Sequence, residues 1–313
     1  MSDMNVVIGY GPVGATVTEQ LVQRGEQVRV VTRSGSGPTT EPSGLVEVVR
    51  GDALDPTSLA GLFDHAAAVY DCMHGDKYSA RNWWQVLPTA DRNVRDEAGR
   101  AGAVVVYPES LYGFDPTAQP FTESSPRVAP TEMGRVRAQL IDDRLTSSTP
   151  TVSIVASDFF GPKALTAHGG ARMLSAVFAG KTVRVLGSAD QPHSFTYVPD
   201  LAAAMIAAAV RSDLWGQVLC APTSEPVTQR QMALRYAEVA GLPAPKIGVL
   251  PTWGLRLAGV AMPEVRSIAG MQYQFDQPFV LDSSQSEAAL GQTPTPFDEA
   301  TAATVDWWQH YSA

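Results

Sequence analysis

The chain has 313 residues, of which 44% are hydrophobic and 18% are charged, a composition typical of folded globular proteins and not of disordered ones. Its 23 lysines and arginines face 32 aspartates and glutamates, so the net charge is -9 at pH 7. This balance argues against a nucleic acid or an anionic membrane surface as the partner, although it leaves room for one local phosphate site.

The sequence has no pattern typical of export, membrane insertion or metal binding. In MSDMNVVIGYGPVG no basic region precedes the apolar run, so no secretory signal is predicted. No apolar run approaches the roughly 20 residues that span a bilayer. Cys72 and Cys220 are too few for a disulfide framework and form no metal motif with the histidines. We therefore expect a cytoplasmic protein without a metal site.

The first half of the chain alternates strand-like and helix-like patterns. Strands are expected in NVVIGY, QVRVVTR, LVEVVRGD, AAVYDCM, AVVVYPES and TVSIVASDFF, and helices around residues 15–24, 56–63 and 91–100. Another helix is expected in PTEMGRVRAQL, where a proline opens the first turn, Glu132 lies within it, and Met133 and Leu140 recur at helical spacing. Repeated βα units with nearly continuous apolar strands predict the α/β class, with a Rossmann-type, doubly wound parallel sheet.

After Gly161 this rhythm changes. KTVRVLG, HSFTYV and GQVLCAP are strand-like, and LAAAMIAAAV is predicted to be a buried helix that Asp200 caps. A further helical segment, a proline-rich passage and a mixed tail follow. The predicted units are an NADP-binding Rossmann domain over 1–161, to which parts of 193–225 return, and a smaller substrate-binding lobe from 162–192 and 226–313.

A glycine-rich turn, VIGYGPVG, joins the first strand to the first helix. Gly9, Gly11 and Gly14 have the spacing at which small residues let the backbone approach a pyrophosphate at a helix N-terminus. The strand–turn–helix context makes this motif a strong indication of a dinucleotide site. The other residues of the turn that are expected to contact the dinucleotide are Tyr10, Pro12 and Val13.

The end of the second strand indicates which dinucleotide is preferred. An NAD site usually carries an acidic residue there, which holds the ribose hydroxyls. This chain has VVTRSGSG, in which Arg33 can pair with a 2′-phosphate and the hydroxyls of Thr32 and Ser34 can add hydrogen bonds. The sequence therefore favours NADP(H) over NAD(H). Further cofactor contacts are expected from Asp52, Ala53, Cys72, Met73, Tyr107, Asp158 and Phe159.

Seven segments, taken in chain order, resemble the extended and atypical short-chain dehydrogenase/reductase superfamily, the NAD(P)-dependent epimerase/dehydratase group. They are VIGYGPVG, GDALDPTSL, YPESLYGF, PTEMGRVRAQL, SDFFGP, GKTVRVLG and HSFTYVPDL. The resemblance covers essentially the whole chain. It implies NAD(P)-dependent chemistry on a small-molecule substrate, and a homodimer is common in that superfamily.

In that superfamily the stretch matching PTEMGRVRAQL carries a tyrosine and, four residues later, a lysine. The tyrosine transfers the proton of the substrate oxygen, and the lysine holds the cofactor ribose and lowers the tyrosine pKa. The resemblance aligns Met133 and Arg137 with these positions. Methionine cannot transfer a proton, whereas arginine can hold ribose hydroxyls or stabilise an anion but stays charged. A nonstandard proton donor, or water, is therefore expected.

The proton donor is sought in the loop after the fifth strand, YPESLYGF. Ser110 is the nearest hydroxyl, Tyr112 is the nearest phenol, and Glu109 can serve as an acid if burial raises its pKa. Each also has a structural interpretation, since Ser110 can cap a turn, Tyr112 can pack in the cleft, and Glu109 can be solvated. With Arg137, these three residues form the candidate catalytic set.

Two further positions bear on the substrate. Sugar-nucleotide members of the superfamily often grip a diphosphate with an arginine where this chain has His193, and carry an asparagine where it has Asp158. A carboxylate there repels a phosphate, and histidine is often neutral near pH 7. A loop histidine bonded to backbone is the alternative for His193. Tyr78, Met133, Phe160 and His193 are the residues expected to contact an apolar or aromatic carbonyl substrate.

Three functions remain open from the sequence. The first is an NADPH-dependent reductase of a small, fairly apolar carbonyl or enone, which the aromatic residues favour. The second is a nucleotide-sugar epimerase or dehydratase, which Met133, His193 and Asp158 disfavour. The third is a non-catalytic NADP-binding protein that senses the redox state of the cofactor, which the missing tyrosine favours.

Overall fold

A computed structural model of the chain describes residues 4–38, 43–250, 267 and 269–312, with only the backbone of the last residue. Its strands are β1 (Met4–Ile8), β2 (Gln27–Thr32), β3 (Val46–Arg50), β4 (Ala66–Asp71), β5 (Val104–Ser110), β6 (Thr151–Ala156), β7 (Asp158–Phe160), β8 (Val183–Leu186), β9 (Phe195–Tyr197), β10 (Gln217–Cys220) and β11 (Ile247–Leu250).

The helices within these ranges are α1 (Pro12–Gln23), α2 (Pro56–Leu59), α3 (Ala80–Ala101), α4 (Glu132–Leu145), α5 (Ala171–Phe178), α6 (Val198–Ala209), α7 (Gln229–Val239), α8 (Tyr273–Asp276), α9 (Ser284–Leu290) and α10 (Phe297–Ser312). The helices expected around 15–24, 56–63 and 91–100 correspond to α1, a shorter α2 and a longer α3. In the described part of the chain no helix is long and apolar enough to cross a bilayer.

Seven parallel strands form the central sheet, in the order β10-β6-β5-β4-β1-β2-β3. Side chains alternate between two apolar clusters, so that Val7 faces the one under α1 and α6 while Val6 and Ile8 face the one under α2 and α3. The predicted doubly wound parallel sheet is therefore confirmed. The strand order reverses at β1 and β4, and in such sheets ligands bind at the carboxyl ends of the strands beside that point.

The predicted strand TVSIVASDFF is two strands. β6 stays in the main sheet, whereas β7 pairs with β9. Ser157, which lies between β6 and β7, donates its backbone N–H to the Thr196 hydroxyl of β9 at 3.0 Å. β8 and β11 form another two-stranded sheet, and β10 pairs with β6. The division into domains stays a prediction, and residues 251–266, 268 and 313 of the predicted lobe lie outside the described residues.

Two predicted helix starts are wrong in detail. The N-cap of α4 is Thr131, whose hydroxyl accepts a hydrogen bond from the Gly134 N–H at 3.1 Å, so the proline lies before the cap and does not open the helix. Glu132 lies in the first turn, as predicted. Asp200 lies inside the first turn of α6 and is not its cap, because its carboxylate accepts hydrogen bonds from the Thr295 backbone N–H and hydroxyl at 2.8 and 2.7 Å.

Candidate active site

The glycine turn after β1 has the shape that a pyrophosphate needs. Gly9 has a φ of +84°, and a Cβ there would lie 3.1 Å from the carbonyl oxygen of Cys72. A Cβ at Gly14 would lie 2.1 Å from the carbonyl oxygen of Gly9, so α1 packs directly on the turn. A Cβ at Gly11 would meet no described atom within 4 Å. Gly11 therefore leaves open space where a ligand can approach the start of α1.

The rest of the turn also suits an anion. Pro12 is the first residue of α1, whose first turn holds no acidic side chain, so the positive end of the helix dipole faces the turn without competition. Val13 is buried and Tyr10 is half-buried beside it. The residues present therefore fit the pyrophosphate of a dinucleotide.

A cavity of about 410 Å³ opens at the carboxyl ends of β2 and β3. Thr32 and Arg50 are partners in the β2–β3 register, which brings Arg33 and Arg50 to the same edge of the sheet. This is the ribose end of a dinucleotide that lies on the glycine turn. Sequence reasoning identified Arg33 but missed Arg50, although it ends the neighbouring strand. The cavity is lined by Arg33, Arg50, Gly51, Asp52, Asp55 and Ser58.

The hydroxyls predicted beside Arg33 bind their own loop. The Thr32 hydroxyl donates to the Ser36 carbonyl at 2.8 Å, and the Ser34 hydroxyl accepts from the Ser36 N–H at 3.3 Å. Arg33 forms a two-point ion pair with Asp76 in the loop after β4, and one of the two bonds, from Nη1 to Oδ2, is 2.9 Å long. No sequence signal pointed to this pair.

Asp52 and Ala53, predicted as cofactor contacts, differ in their surroundings. Asp52 lines the cavity, and its Oδ1 accepts a hydrogen bond from the Leu54 N–H at 3.0 Å. Ala53 is 4% exposed and packs in the core, where its carbonyl accepts from the Asn93 amide at 2.9 Å. The methyl group of Ala53 faces the core, so its contact with a dinucleotide, which stays a prediction, would have to use the backbone.

Cys72 and Met73 connect the glycine turn with the side chains around α4. The Cys72 N–H donates to the Ile8 carbonyl at 2.9 Å, which holds the two strand ends together. The Cα of Met73 lies 3.3 Å from where a Cβ of Gly9 would be, and its side chain packs against the apolar cluster that contains Met133. The glycine turn is thus continuous with that cluster.

Met133 and Arg137 share the inward face of α4, as their spacing predicts. Met133 is 3% exposed and lies in an apolar cluster. The guanidinium carbon of Arg137 lies 4.6 Å from the centre of the Trp83 ring, and Nη1 is 3.4 Å from Oε1 of Glu109. The Nε of Arg137 has no hydrogen-bond partner among the described residues.

Glu109 is a buried ion-pair partner, which corrects its prediction as an acid. Its side chain is 0% exposed, one oxygen accepts the Ser110 N–H at 2.8 Å, and the other pairs with Arg144 at 2.9 Å. The Ser110 hydroxyl also faces this carboxylate, at 3.5 Å. Donors therefore occupy both oxygens and leave no face for a substrate. Tyr107 is also buried, with Arg144 3.7 Å above its ring, so its phenol is closed to a dinucleotide.

Tyr78, Tyr112 and Tyr273 pack against the apolar cluster that contains Met133, with Asp158 near all three, and these four residues are hereafter named the tyrosine cleft. The Tyr78 hydroxyl donates to the Tyr112 hydroxyl at 3.1 Å. The Tyr273 hydroxyl is buried without a hydrogen-bond partner in the described ranges, and sequence reasoning missed it. Burial is the main cause that raises the pKa of each phenol, to about 12 for Tyr78, and the nearby Asp158 charge raises all three further.

His193 is 1% exposed and binds Asp158, so its prediction as a direct substrate contact is wrong. Its Nε2 lies 2.8 Å from the Asp158 carboxylate and its Nδ1 lies 3.2 Å from the Gln274 carbonyl. Both partners offer acceptor oxygens to the ring nitrogens. Burial acts to raise the pKa of Asp158, but the hydrogen bond and charge of His193 outweigh it and lower that pKa.

Phe160 and Phe159 do not lie together in the cleft. Phe160 is 1% exposed, and its ring centre is 5.3 Å from that of Tyr197 and 6.2 Å from that of Phe297. Its prediction as a substrate contact is therefore wrong, because apolar side chains surround it. Phe159 is half-buried and packs against the main core cluster.

The chain was compared with known families and structures. The profile of the NAD dependent epimerase/dehydratase family matches residues 6–217, which is more than half of the chain. Among curated proteins, no sequence matches the chain.

Similar solved structures include WbmH of Bordetella bronchiseptica in complex with NAD+, with 20% identity, 99% coverage of each chain and a TM-score of 0.76. Epimerase Mth375 of Methanothermobacter thermautotrophicus has 17% identity and a TM-score of 0.80 over 99% of this chain and 93% of that one. UDP-glucose 4-epimerase of Thermotoga maritima with UDP-glucose has 15% identity and a TM-score of 0.76 over 99% and 100%. These identities show the fold, and the profile match shows that the chain belongs to the NAD dependent epimerase/dehydratase family.

Proposed function

We propose that this protein is an NADP(H)-dependent oxidoreductase that acts on a small, largely apolar carbonyl compound, with a phenol of the tyrosine cleft as proton donor. The observation that carries the proposal is that Met73 lies against the glycine turn and packs on the apolar cluster around Met133, against which Tyr78 and Tyr112 also pack. A dinucleotide whose pyrophosphate lies on the turn would supply or accept the hydride through its nicotinamide. The side chains of the cleft then have to bind the substrate and move one proton.

The cofactor proposal rests on the cations at the ribose end. Arg33 and Arg50 line the cavity there, and β2 ends without the acidic residue that usually holds the ribose hydroxyls of NAD. A 2′-phosphate carries charge that two guanidiniums can bind bidentately. The description of WbmH with NAD+ favours NAD instead, so both dinucleotides belong in the test.

The proton donor proposal rests on the Tyr78–Tyr112 pair. In the reduction the carbonyl carbon gains the hydride and the carbonyl oxygen gains the phenol proton, which leaves a phenolate and an alcohol. Burial raises the pKa of Tyr78 to about 12, and its hydrogen bond with Tyr112 acts in the opposite direction. The Tyr78 hydroxyl donates to Tyr112 in the structure, so it has to turn towards a substrate to protonate it. Tyr112 can then donate to the phenolate, which makes Tyr78 the candidate donor. A general acid of this kind typically contributes about 10²–10⁴-fold in rate.

A nucleotide-sugar epimerase is the second candidate, because the chain resembles UDP-glucose 4-epimerase of Thermotoga maritima over its whole length. The Asp158–His193 pair argues against it. The carboxylate of Asp158 lies near the phenols of the tyrosine cleft and would repel a diphosphate, and both ring nitrogens of His193 are held by Asp158 and by the Gln274 carbonyl. An uncharged carbonyl compound meets no such repulsion.

The test combines binding with turnover. NADPH and NADH are titrated by nicotinamide fluorescence, and oxidation of NADPH is followed with aldehydes, ketones and enones, beside interconversion of UDP-glucose and UDP-galactose with NAD. Turnover of an apolar carbonyl with NADPH supports the proposal, whereas sugar interconversion supports the epimerase. Tight binding without any turnover would favour a redox-sensing protein.

Variants of the cleft test the proton donor in the same assay. Tyr78→Phe should lower kcat about 100-fold or more with NADPH affinity unchanged. Tyr273→Phe is the matched control, since this phenol borders the cleft but lies outside the Tyr78–Tyr112 pair. Equal kcat values for both variants and the unmodified protein would exclude Tyr78 as the donor.

A further inference from the structure

We infer that Asp76 is a specificity residue of the dinucleotide site. Its carboxylate binds the same face of the Arg33 guanidinium that a 2′-phosphate would bind. Arg50 lines the same cavity and would be the second cation that contacts the phosphate. This inference rests on the proposed NADP(H) dependence. It assigns to the loop after β4 a role in choosing between the two nicotinamide dinucleotides.

The Arg33–Asp76 pair has the form of an arginine–phosphate contact. Both terminal nitrogens of the guanidinium donate to the two carboxylate oxygens, a geometry that a phosphate reproduces with two of its own oxygens. The Arg33 side chain is 59% exposed and the Asp76 side chain 49%. An ion pair so open to solvent contributes little to stability, so a ligand with greater charge can displace the carboxylate.

The other two carboxylates of the cavity accept hydrogen bonds from residues close to them in sequence. Asp55 caps α2, where its Oδ1 accepts from the Thr57 N–H at 2.9 Å and from the Thr57 hydroxyl at 2.7 Å. Asp52 accepts from the N–H two residues further on. Neither forms an ion pair with Arg33 or Arg50 in the part of the chain that the structure describes. Asp76 is thus the acidic group that competes for Arg33.

A 2′-phosphate and an unmodified ribose would meet different charges at the Arg33–Asp76 pair. A 2′-phosphate has to displace Asp76 from Arg33 and then meets repulsion from the released carboxylate, while Arg50 adds attraction. An unmodified ribose has no charge with which to displace the pair, and its hydroxyls can donate to Asp76. That is the role which the acidic residue after the second strand has in NAD sites. Asp76 therefore lowers the preference for NADP(H) that the two arginines create.

The experiment measures binding of probes that contain no nicotinamide. The affinities of 2′,5′-ADP and 5′-AMP are determined by calorimetry for the unmodified protein and for Asp76→Asn and Arg50→Gln. NADPH and NADH follow in the same series. Asp213→Asn is the matched control, since Asp213 forms an equally exposed two-point pair with Arg211 at another part of the surface.

Asp76→Asn should tighten the binding of 2′,5′-ADP and NADPH about three- to tenfold, because the competing ion pair and its repulsion are lost. It should leave 5′-AMP and NADH unchanged or weaker. Arg50→Gln should weaken the 2′-phosphate ligands alone, and Asp213→Asn should change none of the four. Melting curves of each variant check that the fold is kept.

Two results would overturn the inference. One is that Asp76→Asn leaves the ratio of 2′,5′-ADP to 5′-AMP affinity unchanged, and the other is that it weakens all four ligands equally. Failure of the proposed function has a different outcome, in which the unmodified protein binds neither NADPH nor NADH. A change in that ratio with no catalytic turnover would keep the Asp76 inference and reject the carbonyl reductase.

Discussion

Asp71, the last residue of β4, is expected to destabilise the folded chain at neutral pH. It is 6% exposed, and its Oδ1 accepts a hydrogen bond from the Met73 N–H at 3.2 Å. Burial, and then repulsion by Asp91, raise its pKa from 3.8 to about 7, although Met73, Arg144 and Arg137 act in the opposite direction. The unfolded chain has no such burial, so there the carboxyl titrates near its ordinary pKa.

The sign follows from proton binding. Between about pH 4 and 7 the folded state holds a proton on Asp71 that the unfolded state has lost, so the free energy of unfolding falls as pH rises through this window. The rise of the pKa from 3.8 to about 7 corresponds to about 4 kcal/mol, as an upper value. Asp71→Asn removes the charge and keeps an acceptor for Met73. It should raise the unfolding free energy by about 2–4 kcal/mol at about pH 8 and change little below about pH 4.

Urea unfolding followed by circular dichroism at about pH 4, 6 and 8, without ligand, measures this difference. Asp91→Asn is the control of opposite sign, because Asp91 pairs with the buried Arg144 at 2.6 Å and with Arg95 at 2.7 Å. Loss of the Asp91 charge should destabilise the fold by about 1–3 kcal/mol, since Arg144 keeps its ion pair with Glu109. Destabilisation by Asp71→Asn at about pH 8, or a difference that does not change with pH, would refute the reasoning.

Three further predictions concern the site. Gly14→Ala should lower Tm because its Cβ meets a carbonyl oxygen at 2.1 Å, whereas Gly11→Ala should keep Tm and weaken NADPH binding. In Gly134→Ala the new Cβ would lie 2.1 Å from the carbonyl oxygen of Tyr112, so the unfolding free energy measured by urea unfolding should fall by about 1–3 kcal/mol. Asp158→Asn should cost about 1–3 kcal/mol at neutral pH, because it weakens the bond to His193; since the pKa of Asp158 is lowered from 3.8, the loss should shrink as pH falls below about 4 and vanish below that lowered pKa.

Much of the fold and the cofactor half of the site could be predicted from the sequence. The apolar strands and the helical spacing of Met133 and Leu140 report burial directly, since hydrophobic periodicity is a local property of the chain. The glycine turn could be predicted for the same reason, because Gly9 and Gly14 are required by φ and by close packing within one strand–turn–helix unit.

The catalytic half could not be predicted, because its polar groups are paired across long stretches of sequence. Glu109 reads as a solvated carboxylate or an acid, yet Arg144 from α4 neutralises it. His193 reads as a loop residue, yet it is buried against Asp158. Which partner a charged side chain finds depends on how elements far apart in sequence pack, and no spacing along the chain encodes that.

The sequence alone thus determined the parallel sheet, the glycine turn and the absence of a proton-transferring side chain at Met133. All three follow from residue type and local spacing, which act over a few residues. The tertiary structure decided that Arg33 meets Asp76, that Arg50 joins the same cavity, and that Tyr78 bonds to Tyr112. Those contacts depend on the courses of loops between distant elements, where charge and hydrogen bonding between side chains, and not periodicity, set the geometry.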